Sequence, residues 1–510
     1  MKETMRIYRL NFLFVVSCVF VLLSPTSFAQ ETALAAVDAT EIDAFVLSEM
    51  EADRVPGAAL VVIEAGEIAY VKGYGTAVSN GTPVTAETSF ILGSVSKPVT
   101  ATAIMQLVES GKIALDDPVQ KYLPWLETAN PDVGAAITIR HLLHHTSGLP
   151  TSAYLPINEE PLAERVKRLN DVMPTAPVGT FQYSSPNYQV LGLIVEVVSG
   201  QSFGDYIQEH IYTPLEMAHS FVSQTNAQAN GMADGHRIWF GFPVANELPF
   251  DEAGLPNGYL ISSAQDMAQF MLAHMNKRPL LSPQSIQAMQ TPSENSPNYG
   301  FGWQLGTWDK QPLVMHGGAG QNFRTMALML PDAKQGVIVL INSATFVGDM
   351  ARGDHTARRI AFGITNLLQG DRPVTTSEAI QQIYFVINGV LAVLLLMTLW
   401  QLWRLRHWPA KVTAWLVDGE RVGRLFWRHV APSVGGDFLG GAFILFGIPY
   451  LFGASLGAMW LGVPDITAVL ILLAFFSLLS GLIKLIVSVR LIREAALQKN
   501  SDTLGFQGTS

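Results

Sequence analysis

Three stretches of the chain are apolar on every side, at 383–403, at 438–460 and from 466 to about 487. Each holds the roughly 20 residues that a helix needs to cross a hydrocarbon core, so the pattern predicts three transmembrane helices near the C-terminal end. Upstream the periods shorten. The runs 58–63 and 68–71 are β-like, and the connection Glu64-Ala65-Gly66-Glu67 between them predicts a hairpin. Late strands are expected at 324–330 and 336–341, with helical spacing at 99–110 and 188–198 between the two strand groups. Strands at both ends with helices between predict an α+β domain whose sheet pairs the chain ends. That domain is expected over 30–370, followed by a linker at 371–382 containing Pro373, a three-helix membrane domain at 383–493 and a cytoplasmic tail at 494–510, frayed from 500 onward.

Residues 1–29 begin with Lys2, Arg6 and Arg9, continue as an apolar run at 12–23 and end in Ser27-Phe28-Ala29, which predicts a cleaved signal peptide and a mature chain starting near Gln30. Cys18, the only cysteine, falls inside that leader and outside any lipoprotein context, so neither a disulfide nor a thiol nucleophile is expected. Charge placement sets the orientation of the spans. Arg404, Arg406, Lys411, Arg421, Arg424 and Arg428 follow the first span, and Arg490 and Arg493 follow the third, whereas Gly462-Val463-Pro464-Asp465 carries no cation. The basic ends stay in the cytoplasm, so 30–375 faces outward, as the leader independently requires. A multi-pass protein of the cytoplasmic (inner) membrane with a periplasmic, extracytoplasmic domain is the expectation. Trp400, Trp403, Trp408 and Trp460 fit an interfacial belt, and Lys484, about one turn from the cytoplasmic end, is expected to snorkel.

Composition agrees with a lipid-embedded share, since 49% of residues are hydrophobic and only 15% charged. A net charge of −10, with no Lys/Arg cluster in the exported part, excludes a nucleic-acid surface. The strongest chemical signal is Gly93-Ser94-Val95-Ser96-Lys97 ahead of a helical run. On a helix, i and i+3 share a face, so Lys97 stands against the Ser94 hydroxyl, and a helix start favours a developing alkoxide. Tyr183-Ser184-Ser185 supplies a phenol for proton transfer, and His316-Gly317-Gly318-Ala319 precedes an apolar strand. Glycines there allow close backbone approach, so an N–H from that segment can join the N–H of Ser94 in an oxyanion hole. Gly200-Gln201-Ser202-Phe203-Gly204 matches a nucleophile elbow in letters only. It follows a helical pattern, and Ser202 with Asp205 reads as a helix cap. His141, His144 and His145 lack the glutamate and second ligand cluster of a zinc site and read as a structural segment.

These segments, in this order, resemble the class C β-lactamase and D-alanyl-D-alanine carboxypeptidase (penicillin-binding) family of serine hydrolases. The resemblance covers roughly 40–350 and includes Phe90 to Lys97, Leu115-Asp116-Asp117-Pro118-Val119, Ile137 to Leu149 and Tyr183 to Gly192. It implies an antiparallel sheet with a helical domain, Ser94 as nucleophile, Lys97 and Tyr183 as the proton-transfer pair, and His316 in the third motif. Oxyanion donors would be the N–H groups of Ser94 and Ala319. Substrate contacts are expected from Ser185, His316, Gly318, Ala319 and Asn322, with Asn257 also bordering the pocket. Two departures bear on substrate: Ser185 stands where the family's motif usually has asparagine, and Gly317 stands where a hydroxyl residue often holds a substrate carboxylate. No metal or organic cofactor is implied. With three spans behind it, the domain resembles the membrane-anchored prodrug-activating peptidases of the colibactin peptidase type, which implies a small-molecule or peptide-like N-acyl-D-asparagine substrate. A D,D-carboxypeptidase, a β-lactamase, an esterase and, from another class, a non-catalytic sensor are the alternatives; the oligomeric state is left open.

Overall fold

The unbroken apolar runs near the two chain ends pair with each other. In the computed structural model, which describes residues 38–151, 160–247, 249–275, 280–320, 322–376, 379–418 and 421–505, β1 (Gly57–Glu64) and β2 (Glu67–Gly75) form the expected hairpin. β3 (Gln304–Trp308), β4 (Gln311–Ala319), β5 (Arg324–Leu330) and β6 (Gln335–Ile341) complete a six-stranded antiparallel sheet of order β2-β1-β6-β5-β4-β3. β1 and β6 lack polar alternation because both sheet faces are covered. Ala59, Val61 and Ile63 enter one core with the helical region, while Ala58, Leu60 and Val62 enter a second core. The second core lies under α1 (Ala39–Asp53) and α4 (Thr356–Leu368). On the first side, α2 (Ser96–Glu109) is nearly all buried and is backed by α3 (Ser185–Ser199).

The linker is tied down at its start. Thr376 donates its backbone N–H and its hydroxyl to Glu49, at 2.7 Å each, and Arg359 donates to the same buried carboxylate at 2.9 Å. The predicted leader and Cys18 lie outside the described residues.

Three helices, Ile380–Val417, Val422–Leu451 and Pro464–Lys499, are long and apolar enough to cross a membrane. Three expectations are corrected here. The second span ends at Leu451, because the chain turns at Gly453 with φ of 61° and restarts at a Ser455 cap, so Trp460 belongs to a separate short helix, Leu456–Gly462. Lys484 does not snorkel: the third helix continues to Gly505, and the ammonium pairs with Asp437 at 2.8 Å and donates to Ser433 at 3.1 Å. That continuation also makes 500–505 helical instead of frayed; 506–510 lies outside the described residues.

Candidate active site

Ser94 sits in a single 3-10 turn, Gly93–Val95, that leads directly into α2. Gly93 adopts φ of +55°, and a Cβ there would stand 2.8 Å from the backbone nitrogen of Ala319. A glycine is therefore required twice over, by its conformation and by the approach of β4. Gly318 is equally confined: a Cβ would fall 2.1 Å from the Leu92 oxygen and 2.0 Å from the Thr325 hydroxyl, which itself donates to Leu92 O at 2.6 Å. These contacts bring the amide of Ala319 close to the Gly93–Val95 turn that carries Ser94.

One turn along, Lys97 is fully buried and donates from Nζ to Ser94 Oγ at 3.1 Å and to the Asn257 carbonyl at 2.8 Å. Its ammonium lies 5.0 Å from the Tyr183 ring centroid and 5.8 Å from that of Tyr188. Among the described residues no carboxylate lies within ion-pair distance of it. The turn that presents Asn257, Leu255–Tyr259, is stitched to α2 by Thr100, whose hydroxyl donates to Pro256 O at 2.7 Å, and by Ser96, whose hydroxyl accepts Leu260 N–H at 3.2 Å.

Tyr183 rests on the segment His144 to Gly148. His145, held at φ of 58°, is completely buried; its Nδ1 accepts the Ser184 N–H at 3.1 Å, and its carbonyl accepts Gln182 N–H at 2.8 Å. The rings of Tyr183, Tyr188 and Tyr299 surround it at 4.4 to 5.2 Å. The three histidines are thus structural. His141 accepts from Thr138 N–H as a helix cap, and His144 Nδ1 donates to Tyr299 O at 3.0 Å.

His316 is 1% exposed and stands behind the cleft surface instead of on it. Nδ1 donates to Gly317 O at 2.8 Å, which leaves Nε2 to accept the Tyr299 hydroxyl at 3.0 Å. Burial, helped by the charge of Lys97, depresses its pKa to about 3, so the ring is neutral at physiological pH. Ser94, Ser185, Ala319, Asn322 and Asn257 do line the cleft, whose volume is about 470 Å³. Asn322 is already engaged: Oδ1 accepts from Arg237 at 2.9 Å, and Nδ2 donates to Asn246 O. Asn257 differs, because its Oδ1 is buried without a hydrogen-bond partner.

Sequence reading missed two parts of the site. Tyr299, which braces both His316 and His145, precedes Gly300-Phe301-Gly302-Trp303, and this alternation is a usable signal: a Cβ on Gly302 would stand 2.8 Å from Pro98 of α2. The other part is the cleft wall formed by Asp234, Ala245, Asn246 and Glu247, which comes from a small hairpin with strands His236–Trp239 and Phe242–Ala245. Asp234 and Glu247 are carboxylates, and among the described lining residues there is no lysine, arginine or histidine. The cleft is acidic.

The likenesses to known proteins follow the same lines. The Beta-lactamase family profile matches residues 42–362. Protein flp of Staphylococcus aureus strain MW2 is 26% identical over 436 residues, covering 81% of this chain and 83% of its own length. Penicillin-binding protein 4 of Amycolatopsis lactamdurans is 31% identical over 324 residues, covering 59% of this chain and 84% of its own. Among solved structures, the octameric penicillin-binding protein homologue from Pyrococcus abyssi superposes with a TM-score of 0.58 at 29% identity, over 66% of this chain and 78% of that one. With the family match running through both halves of the sheet and every segment around Ser94, the chain belongs to the β-lactamase family, as a serine hydrolase of the penicillin-binding type.

Proposed function

We propose that the chain is a membrane-anchored, extracytoplasmic amidase or peptidase that hydrolyses acyl-D-amino-acid amides through an acyl-enzyme on Ser94. The observation that carries this reading is the 3.1 Å approach of the buried Lys97 amine to Ser94 Oγ, next to the Ala319 amide. In the proposed reaction the Ser94 proton passes to the Lys97–Tyr183 pair as Oγ attacks the carbonyl, and the N–H groups of Ser94 and Ala319 hold the oxyanion. Tyr183 then delivers a proton to the departing nitrogen. Water, deprotonated by the same pair, attacks the ester and frees Ser94.

Charge supports an uncharged substrate end. Substrates of D,D-carboxypeptidases and β-lactamases present a carboxylate, which Asp234 and Glu247 on the cleft wall would repel. A neutral carboxamide, as in N-acyl-D-asparagine, finds a hydroxyl at Ser185 on the cleft wall. The intact serine, lysine and tyrosine favour an enzyme over a silent sensor.

Labelling of the full chain with a fluorophosphonate tests the mechanism. Ser94→Ala should abolish labelling, and Lys97→Ala and Tyr183→Phe should each lower the rate by about 10² to 10⁴. Undiminished turnover in Ser94→Ala would refute it.

A further inference from the structure

The small hairpin that walls the cleft also reaches the membrane helices. At its tip, Phe240 N–H donates to Asp465 at 2.8 Å, at the start of the third span, and Phe240 O accepts from Asn388 of the first span at 3.0 Å. Gly241, at φ of +92°, packs so tightly on Tyr384 that a Cβ would stand 3.0 Å from the tyrosine. Ile238 shares a small buried cluster with Ile380 and Tyr384.

These contacts fix the depth of the tip. Asn388 stands about 24 Å along the first helix from Arg404, at 1.5 Å per residue, which is less than the roughly 30 Å thickness of a hydrocarbon core. With Arg404 at the cytoplasmic boundary, Asn388 stands about 6 Å short of the opposite boundary, so the tip bonded to it lies in that boundary region. Apolar side chains are exposed there: Phe242 is 59% and Val244 44% exposed, on one face of the same strand. Tyr450, Leu451 and Phe452 are also exposed, at the C-terminal end of the second span. These exposed side chains, with the Arg54 guanidinium stacked 4.5 Å over the Phe242 ring, stand on a hairpin tied to the starts of the first and third spans, and an aromatic–cation pair of this kind has the bilayer interface as its occupant.

We propose that the hairpin seats Phe242 and Val244 in the interfacial region of the outer leaflet, so that the lipid surface positions one wall of the catalytic cleft. The same strand runs from Phe242 into Ala245 and Asn246, which line the cleft, so the wall lies within about 13 Å of the lipid contact at 3.3 Å per residue. Asn246 passes that position inward, because its carbonyl accepts the Asn322 amide, which Arg237 of the opposite strand holds. The proposal rests on the reading that the three helices cross the bilayer with the hydrolase domain outside.

Cys18 is the only cysteine in the chain, so a Cys18→Ser background makes single-cysteine labelling clean. The test uses full-length protein in phosphatidylethanolamine/phosphatidylglycerol vesicles, with Phe242→Cys or Val244→Cys carrying a bimane fluorophore and lipids bearing a nitroxide near the headgroup. Asp332→Cys serves as reference. It lies in the turn before β6, and the chain leaves the far end of that strand into Ser343, which pairs in parallel with His236 and so points toward the tip. Expected is loss of emission at 242 and 244 and retained emission at 332. Equal emission at all three sites in protein that floats with the vesicles overturns the proposal, as does protein that fails to float, which also overturns the membrane reading. Repeating the measurement in Ser94→Ala separates it from catalysis, since the quenching should persist whatever the fate of the hydrolase mechanism.

Discussion

His145 holds Ser184: its Nδ1 accepts that residue's backbone N–H at 3.1 Å, and its ring lies 4.4 Å from the ring of Tyr183, centroid to centroid. The imidazole is a positioning residue for Tyr183. His145→Phe keeps an aromatic ring but removes the acceptor, and it should lower kcat about 10- to 100-fold with little change in KM, the scale of a small misplacement of a reacting group. His145→Asn restores an acceptor on a residue that tolerates positive φ and should recover most of the loss. Equal losses in both variants, tracking a lowered Tm, would reduce His145 to packing.

Ser185 should govern substrate choice. The wild type is expected to prefer an N-acyl-D-asparagine amide over the matching D-alanine compound, and Ser185→Ala should erase that preference, since a site built to hydrogen-bond a polar group discriminates strongly against its absence. Matching kcat/KM values for the two compounds in the wild type would remove the asparagine assignment and leave the acyl-transfer mechanism standing.

Orientation is open to a fusion assay. A periplasm-dependent reporter joined after Asp371 should be active, and one joined at Asp418, between the first two spans, should be silent. The opposite pattern would place the catalytic domain in the cytoplasm.

Acid should destabilise the hydrolase domain through its buried histidines. Burial depresses His274, His316 and His355 to about 3, with nearby cations adding to the effect at His316 and His355. The unfolded chain takes up these protons near pH 6.5, whereas the folded chain resists until about pH 3. Stability is therefore complete above about 6.5 and falls as pH drops toward 3, by about 1.4 kcal/mol per pH unit for each histidine. Thermal unfolding at stepped pH should show this decline, and His274→Gln should make it shallower. An unchanged slope in that variant would contradict the assignment.

Asp437 and Lys484 should act as a pair. Both side chains are 16% exposed, and Ser480 also donates to Asp437 at 2.7 Å. Lys484→Leu strands a carboxylate between two spans and should cost about 3 kcal/mol, whereas adding Asp437→Leu should recover much of it, because removing both charges leaves none uncompensated. Thermal stability of the full chain in detergent measures both; a double variant worse than either single would argue against pairing.

The sheet and the Ser94–Lys97 turn were legible because each has a local cause. β1 and β6 are apolar on both faces, and Ser94 with Lys97 obeys the helical period. Likewise Ser202 caps its helix by accepting Asp205 N–H, and Gly200 ends the preceding helix at φ of 76°, so the apparent elbow dissolves on local grounds. What escaped depends on distant partners. Tyr299 acquires its place only when β4 brings His316 beside it, and the hairpin at 236–245 is a short strand pair interrupted by Pro243 and defined by what it touches. The error over Lys484 has the same origin: an isolated span shows a cation near its end, and its counter-ion lies on another helix.

The tight fit of Gly93 against Ala319 also sets an order in time. Residues near 94 emerge from the ribosome long before β4, and β1 waits for β6, the last strand of the sheet, to cover its open edge. Until then the serine has its lysine neighbour in sequence but no second amide to hold an oxyanion. The cleft beside Ser94 is thus complete only when almost the whole domain has been synthesised, just as the first of the three long apolar helices is about to leave the ribosome.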